Sequence, residues 1–227
     1  MNNYEVEIKV LLTSKENRDK FKEKLSHKLM WLKFLWKNSQ LNHYFMWWNF
    51  DKLKENVFWL LPEDKQESFE NILKVSWKHS FRTRYLNWDS ILVIKLAINN
   101  TASSSNWVSR LEWEHVFKKT EIDELDKKLL DSDFEYQAKW SREREEYSSK
   151  NNITITIDKN AWYGYLSEFE MVVNSKEDAK KAEESIRKLL WELEVEELPQ
   201  DRLARMFAHY NKNWKDYYGT DKFFIID

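Results

Sequence analysis

Five pairs of like charges recur two residues apart along this chain: Glu5/Glu7, Arg82/Arg84, Glu112/Glu114, Arg142/Arg144 and Glu168/Glu170. Side chains two apart on a strand share a face. Lys9 continues the Glu5/Glu7 face and Arg110 that of Glu112/Glu114, while Lys95 and Asp158 also fall in strand-like stretches. One such doublet is the ordinary solvated face of an open sheet carrying cross-strand ion pairs. Five doublets, acidic and basic in alternation, are harder to read that way. Two carboxylates on one strand face repel each other unless a cation lies between them, and two guanidinium groups ask equally for an anion. Closing the sheet into a barrel would gather both sets in one polar lumen.

The chemistry that needs acids and bases side by side is phosphoryl or nucleotidyl transfer from a polyphosphate. Hard divalent cations take carboxylate oxygens, and a phosphate chain takes arginine forks and lysine charges. The chain has no P-loop, and its 2 Gly could not build one. It also has no HExxH, and His27, His43, His79, His115 and His209 are scattered, as structural or exposed histidines are.

The elements that must position these groups follow from periodicity. Tyr4 to Leu12 alternates strictly and reads as a strand, followed by a helix capped by Ser14 with Phe21, Leu25 and Leu29 on one face. Further strands are expected at 39–46, at 81–86 and 90–98 (a hairpin around Asn87-Trp88), and at 108–117, 134–147, 153–158 and 165–173. Residues 46–78 read as a helical insertion, with Pro62 opening its later part. Thr120 opens a helix with Asp123 in the capping-box position. Helices are expected at 175–193 and from Pro199 to about Trp214, so that 199–227 forms a C-terminal helical extension. The fold class is α+β, dominated by antiparallel strands, with residues 1–227 in a single domain.

Composition narrows the function classes. Lys and Arg total 37 against 39 Asp and Glu, a balance that argues against a nucleic-acid binder. With no cysteine there is neither a disulfide framework nor a thiolate metal site. No signal peptide precedes the first strand, and the longest apolar run, Ile91 to Ile98, is broken by Lys95. A soluble, cytoplasmic protein with no membrane partner is expected.

The ordered motifs carry a resemblance. Tyr4-Glu5-Val6-Glu7-Ile8-Lys9 resembles the ExExK signature of the CYTH domain, the triphosphate tunnel metalloenzymes. Gln40 to Phe45, Arg82-Thr83-Arg84, Lys95, Arg110-Leu111-Glu112-Trp113-Glu114, Arg142-Glu143-Arg144, Asp158 and Glu168-Phe169-Glu170 match in order, so the likeness runs from residue 4 to about 195. It implies an eight-stranded antiparallel β-barrel tunnel with helices outside, and a small-molecule triphosphate as partner. Mg²⁺ or Mn²⁺ would be held by Glu5, Glu7, Asp158, Glu168 and Glu170. Lys9, Arg82, Arg84, Lys95, Arg110, Arg142 and Arg144 would bind the phosphates. Glu5, Glu7 and Lys9 would be catalytic, and Glu112 and Glu114 would line the tunnel. The implied activity is hydrolysis of inorganic triphosphate, thiamine triphosphate or a nucleoside triphosphate. The alternatives are a class IV-like adenylyl cyclase and a non-catalytic polyphosphate- or nucleotide-binding module. A homodimer is left open.

The composition also holds an anomaly. Average usage would give about 16 Gly in this length, yet the chain has 2 Gly and 13 Trp. Several Trp stand where a turn asks for Gly, as in Asn87-Trp88, Asn106-Trp107 and Trp47-Trp48. Trp191 stands at an expected helix C′ position. Some genetic codes read UGA as glycine. The pattern is that of such a gene, with Trp31, Trp36, Trp47, Trp48, Trp59, Trp77, Trp88, Trp107, Trp162 and Trp191 as recoded glycines. Trp113, Trp140 and Trp214 suit genuine tryptophan.

Overall fold

A computed structural model of the chain describes residues 4–75, 79–97, 110–150, 152–160 and 163–226. Eight antiparallel strands form its centre: β1 Tyr4–Thr13, β2 Lys33–Met46, β3 His79–Leu86, β4 Asp89–Ala97, β5 Arg110–Phe117, β6 Glu135–Ser148, β7 Thr154–Asn160 and β8 Gly164–Val173. They close into a barrel in the order β1-β5-β4-β3-β2-β6-β7-β8. The β1–β5 seam is thin, with one register pair among the described residues, Glu5 opposite Arg110. The β1–β8 seam is long, running from Tyr4 opposite Val173 to Thr13 opposite Tyr165.

Alternation along each strand divides the barrel into a polar inside and an apolar outside. Val6, Ile8, Ile155 and Phe169 turn outward and are buried under α1 (Lys15–Lys28) and α5 (Lys176–Glu192), against Phe21, Leu25 and Ile186. Phe81, Leu92, Ile94 and Trp113 do the same beneath α2 (Phe50–Val57), α3 (Glu63–Lys74) and α4 (Ile122–Leu130). A third cluster joins β6 and β8 to α6 (Gln200–Asn213) through Ala138, Trp140, Leu166, Leu203, Met206 and Tyr210. Ala138 and Trp140 share their strand face with Arg142, so this third cluster fills one end of the lumen. The other two bury apolar surface on the outer face and leave the rest of the inner face free to be charged.

Several local expectations need correction. β2 begins at Lys33, six residues before the strand read from the sequence. Its first half, Lys33-Phe34-Leu35-Trp36-Lys37, lacks alternation and sits mostly exposed, and it is held by backbone pairing to β6 across a bulge at Phe34/Trp36. The capping box at Thr120 does not form. Glu121 occupies the N-cap of α4 without a side-chain bond, and the Thr120 carbonyl accepts from Ser90 Oγ at 2.7 Å instead. Trp191 is not at a helix C′ position, because α5 runs on to Glu192. The left-handed residue there is Glu194 (φ 51). Val195 N bonds to Leu190 O and Glu194 N to Trp191 O, the Schellman pattern.

The remaining tryptophans divide by environment. In the β3–β4 turn, Asn87 and Trp88 both have positive φ, 52 and 68, as a type I′ turn requires, and Trp47 after β2 has φ 54. A bulky residue in this region is a genuine outlier. Trp31, Trp47, Trp48, Trp59, Trp88 and Trp191 are all exposed, by 39% at the least, whereas Trp113 and Trp140 are each only 9% exposed. Trp77, Trp107 and Trp162 lie outside the described residues. A left-handed non-glycine residue costs about 1–3 kcal/mol. Trp88→Gly is therefore expected to raise the melting temperature by several degrees, and the gene to carry UGA at codons 47 and 88 but UGG at 113 and 140. UGG at 47 and 88 would end the recoding reading.

Candidate active site

The inward faces surround a cavity of about 700 Å³. Strand order sorts its charges. β8, β1 and β5 are neighbours and bring together Glu168, Glu170, Glu5, Glu7, Glu112 and Glu114; β3, β2 and β6 are neighbours and bring Arg82, Arg84, Arg142 and Arg144. Lys9 on β1 and Lys95 on β4 complete the lining. Acids thus form one half of the wall and guanidinium groups the other.

The basic half is oriented by β2, which carries no charge on its inner face. Asn42 stands opposite Arg84 and Gln40 opposite Arg142. Asn42 Oδ1 accepts from Arg84 Nε at 3.1 Å, and Gln40 Oε1 from Arg142 Nε at 2.9 Å. Tyr44 OH accepts from Arg82 Nη1 at 2.9 Å. Burial opposes ionisation of the Tyr44 phenol, but the charges of Arg82, Arg142 and Arg84 outweigh it and lower its pKa. Burial, with Arg82, Arg142 and Arg144 close by, pushes Arg84 down to about 9. Among the described residues Arg84 forms no ion pair. It is the guanidinium with most to gain from an anion. Sequence reading assigned no role to Gln40, Asn42 or Tyr44; their signal was a polar residue at every second position of a strand otherwise apolar at its end.

The acidic half is neutralised internally. Lys95 Nζ lies 2.8 Å from Glu5 and 2.9 Å from Glu112. Lys9 contacts Glu7 and lies 3.3 Å from Glu168. Burial opposes ionisation of Glu168, yet Lys9, Arg144 and Arg142 hold its carboxyl well below the usual range. Glu170, opposite Glu7 in register, is pushed up to about 8 by burial and by the charge of Glu5. As they stand, no three acids among the described residues converge on one metal position. The lysine ammonium groups lie between them. The donor set is nonetheless all carboxylate oxygen, the kind Mg²⁺ and Mn²⁺ take, and the raised Glu170 marks an excess of acid that a cation relieves. These residues fit such an ion.

Asp158 differs from the other four proposed metal acids. Its register opposite Arg144 turns it inward, but it is 0% exposed and is not part of the cavity lining. Its Oδ1 accepts from Arg144 Nε at 2.7 Å, and its Oδ2 from Arg144 Nη2 at 2.7 Å and Arg142 Nη1 at 3.1 Å. It stands behind the arginines and aims them. Arg144 also bonds Glu168, so it joins the two halves of the wall. Arg110 is placed by its backbone on β5, and its side chain lies outside the described residues.

The histidines do not line the cavity. His43 is buried on the outer side of β2, with Nδ1 2.6 Å from Asp126 and Nε2 2.7 Å from Tyr218 OH, tying the C-terminal segment to α4. No helix of the described residues is long and apolar enough to cross a membrane.

No family model and no curated protein matches the sequence. Solved structures do match the fold. The PH1819 protein of Pyrococcus horikoshii OT3 superposes with a TM-score of 0.59 at 22% identity, over 87% of this chain and 94% of that one. The PH1012 protein of the same organism gives 0.59 at 17% identity, over 95% and 99%. A candidate adenylate cyclase from Vibrio parahaemolyticus gives 0.57 at 12% identity, over 90% and 99%. The fold is the CYTH fold. Its expected barrel, with helices outside and a helical C-terminus, is present in this chain.

Proposed function

We propose that this protein hydrolyses a triphosphate inside the tunnel with the help of Mg²⁺ or Mn²⁺. The observation that carries the proposal is the segregation of a carboxylate half from a guanidinium half around one cavity. Arg82, Arg84 and Arg142 would clamp the phosphate chain, their forks pre-aimed by Tyr44, Asn42 and Gln40. Glu5, Glu7, Glu168 and Glu170 would hold the ion. When bound, a divalent ion supplies charge to the phosphate oxygens and makes water a better nucleophile near neutral pH. Lys9 and Lys95 would turn from the acids onto the phosphates, where charge develops during in-line transfer.

That exchange carries its own expected result. Titrated with Mn²⁺ alone, the protein should bind weakly, and inorganic tripolyphosphate should tighten the binding at least about tenfold, a coupling of ordinary size. Lys95→Met should bind Mn²⁺ more tightly than the parent when no triphosphate is present. Equal affinities in the two proteins would contradict the exchange.

Arg84→Ala is expected to weaken tripolyphosphate binding about tenfold or more, the worth of a charge-assisted hydrogen bond. Lys118→Ala, at an exposed side chain paired to Asp89, should leave it unchanged. Equal losses would favour non-specific surface binding over a tunnel site.

The description of the Vibrio neighbour gives a second reading, ring closure of ATP to cyclic AMP. Supplying Mg²⁺ or Mn²⁺ with a panel of triphosphates and assaying phosphate, pyrophosphate and cyclic AMP separates the two. Release of none of them, with triphosphate still bound, would leave a binding module.

A further inference from the structure

On the outer face of the barrel, behind the arginine wall, one buried carboxylate gathers three strands. Asp126 of α4 is 1% exposed. Its Oδ1 accepts from Thr83 Oγ1 of β3 at 2.5 Å. Its Oδ2 accepts from Tyr136 OH of β6 at 2.7 Å and faces His43 Nδ1 of β2 at 2.6 Å. His43 and Thr83 are a register pair across β2 and β3. One residue to either side, on the opposite face, stand the pairs Asn42–Arg84 and Tyr44–Arg82, whose bonds aim two of the clamp arginines. The carboxylate therefore pins from outside the same two-strand unit that carries those bonds inside. Other buried pairs of the outer face are apolar, as Ile8 with Phe169 across β1 and β8, or Ile94 with Trp113 across β4 and β5. Apolar packing would suffice to bury this face as well, and a buried carboxylate is costly to desolvate. What its hydrogen bonds add is a fixed distance and direction.

From this arrangement we infer that Asp126 is a positioning residue for the triphosphate clamp, acting through Thr83 and His43 on the arginines of the opposite face. Its bonds set the spacing and register of β2 against β3, and with them the reach of Asn42 Oδ1 to Arg84 and of Tyr44 OH to Arg82. Tyr136 adds β6, the strand of Arg142 and Arg144, to the same anchor. The inference rests on the triphosphate reading given above.

The test works from the outer face alone. Thr83 is wholly buried and does not line the cavity. Thr83→Val keeps the shape and removes the hydroxyl, and Thr83→Ser returns a hydroxyl. Both are made in the parent and in Arg84→Ala, alongside Asp126→Asn in the parent. Each protein is titrated calorimetrically with Mn²⁺ alone, and with tripolyphosphate in the presence of Mn²⁺. Thr83→Val should weaken tripolyphosphate about fivefold, a coupling of the size found within one bonded network. Its affinity for Mn²⁺ alone should stay within about twofold of the parent, and Thr83→Ser should stay within about twofold for both ligands. In Arg84→Ala the change to valine should cost only about twofold, since one of the two arginines it positions is gone. Asp126→Asn should weaken tripolyphosphate at least as much as Thr83→Val, again sparing Mn²⁺ alone. Unchanged tripolyphosphate affinity, a loss of equal size in both backgrounds, or an equal loss of Mn²⁺ affinity would reduce the network to packing. Any of these overturns the positioning role while the triphosphate site stands. If the parent binds no tripolyphosphate, the triphosphate reading fails and the positioning role with it.

Discussion

Glu7→Gln and Glu5→Gln should each lower metal-dependent triphosphate turnover by about a hundredfold or more. Even the outer-shell partners of a metal site cost about 10–100-fold when removed, and these two acids would touch the ion itself. The fold should survive both changes, for a reason visible in the pairing. Without the Glu5 charge, Lys95 keeps Glu112 at 2.9 Å. Without the Glu7 charge, Lys9 keeps Glu168 at 3.3 Å. Removing the Glu5 charge also lessens the crowding that raises Glu170, since Glu5 is the chief charge acting on it. Circular dichroism melting should therefore show little change, while phosphate release falls and Mn²⁺ affinity with it. Parent-like turnover in either variant would show that the metal assignment is wrong.

The inner surface was legible because it depends on a period of two and on nothing else. Once Glu5, Glu7 and Lys9 share a face, one register sends them all to the lumen, and the cavity lining bears this out for every doublet. The order of strands around the barrel was not legible. Neighbouring doublets along the sequence, Arg82/Arg84 and Glu112/Glu114, end on different halves of the wall because β4 lies between β3 and β5. Nor was the role of β2, since Gln40 and Asn42 matter only through the arginines that long-range pairing sets beside them. The docking of α6 over the cavity mouth was likewise out of reach: an amphipathic stripe says that a helix face is buried, and not against what. The turn at Asn87-Trp88 is the opposite case. Its left-handed geometry was implied by two residues and the strands beside them.

Asp158 is where a local reading and a long-range one part, and it supports the second large expected effect. As a lone acid on a strand it reads as one more metal ligand. Paired to Arg144 by two bonds of 2.7 Å and wholly buried, it reads as the group that fixes the fork of that arginine. Breaking a buried ion pair by removing one partner costs about 3–5 kcal/mol, because the other charge stays buried. Arg144→Ala should therefore lower the melting temperature by about 10 °C, at roughly 2–4 °C per kcal/mol for a chain of this size. The loss falls mainly on Asp158, which would keep only Arg142 at 3.1 Å. Neutralising it as well, in Arg144→Ala/Asp158→Asn, should recover much of the stability without recovering triphosphate affinity. Asp158→Asn alone then decides the role of this carboxylate. As an orienting group it should weaken triphosphate binding and leave the intrinsic Mn²⁺ affinity, measured without triphosphate, near that of the parent. A fall in that affinity as large as the one from Glu7→Gln would return Asp158 to the metal.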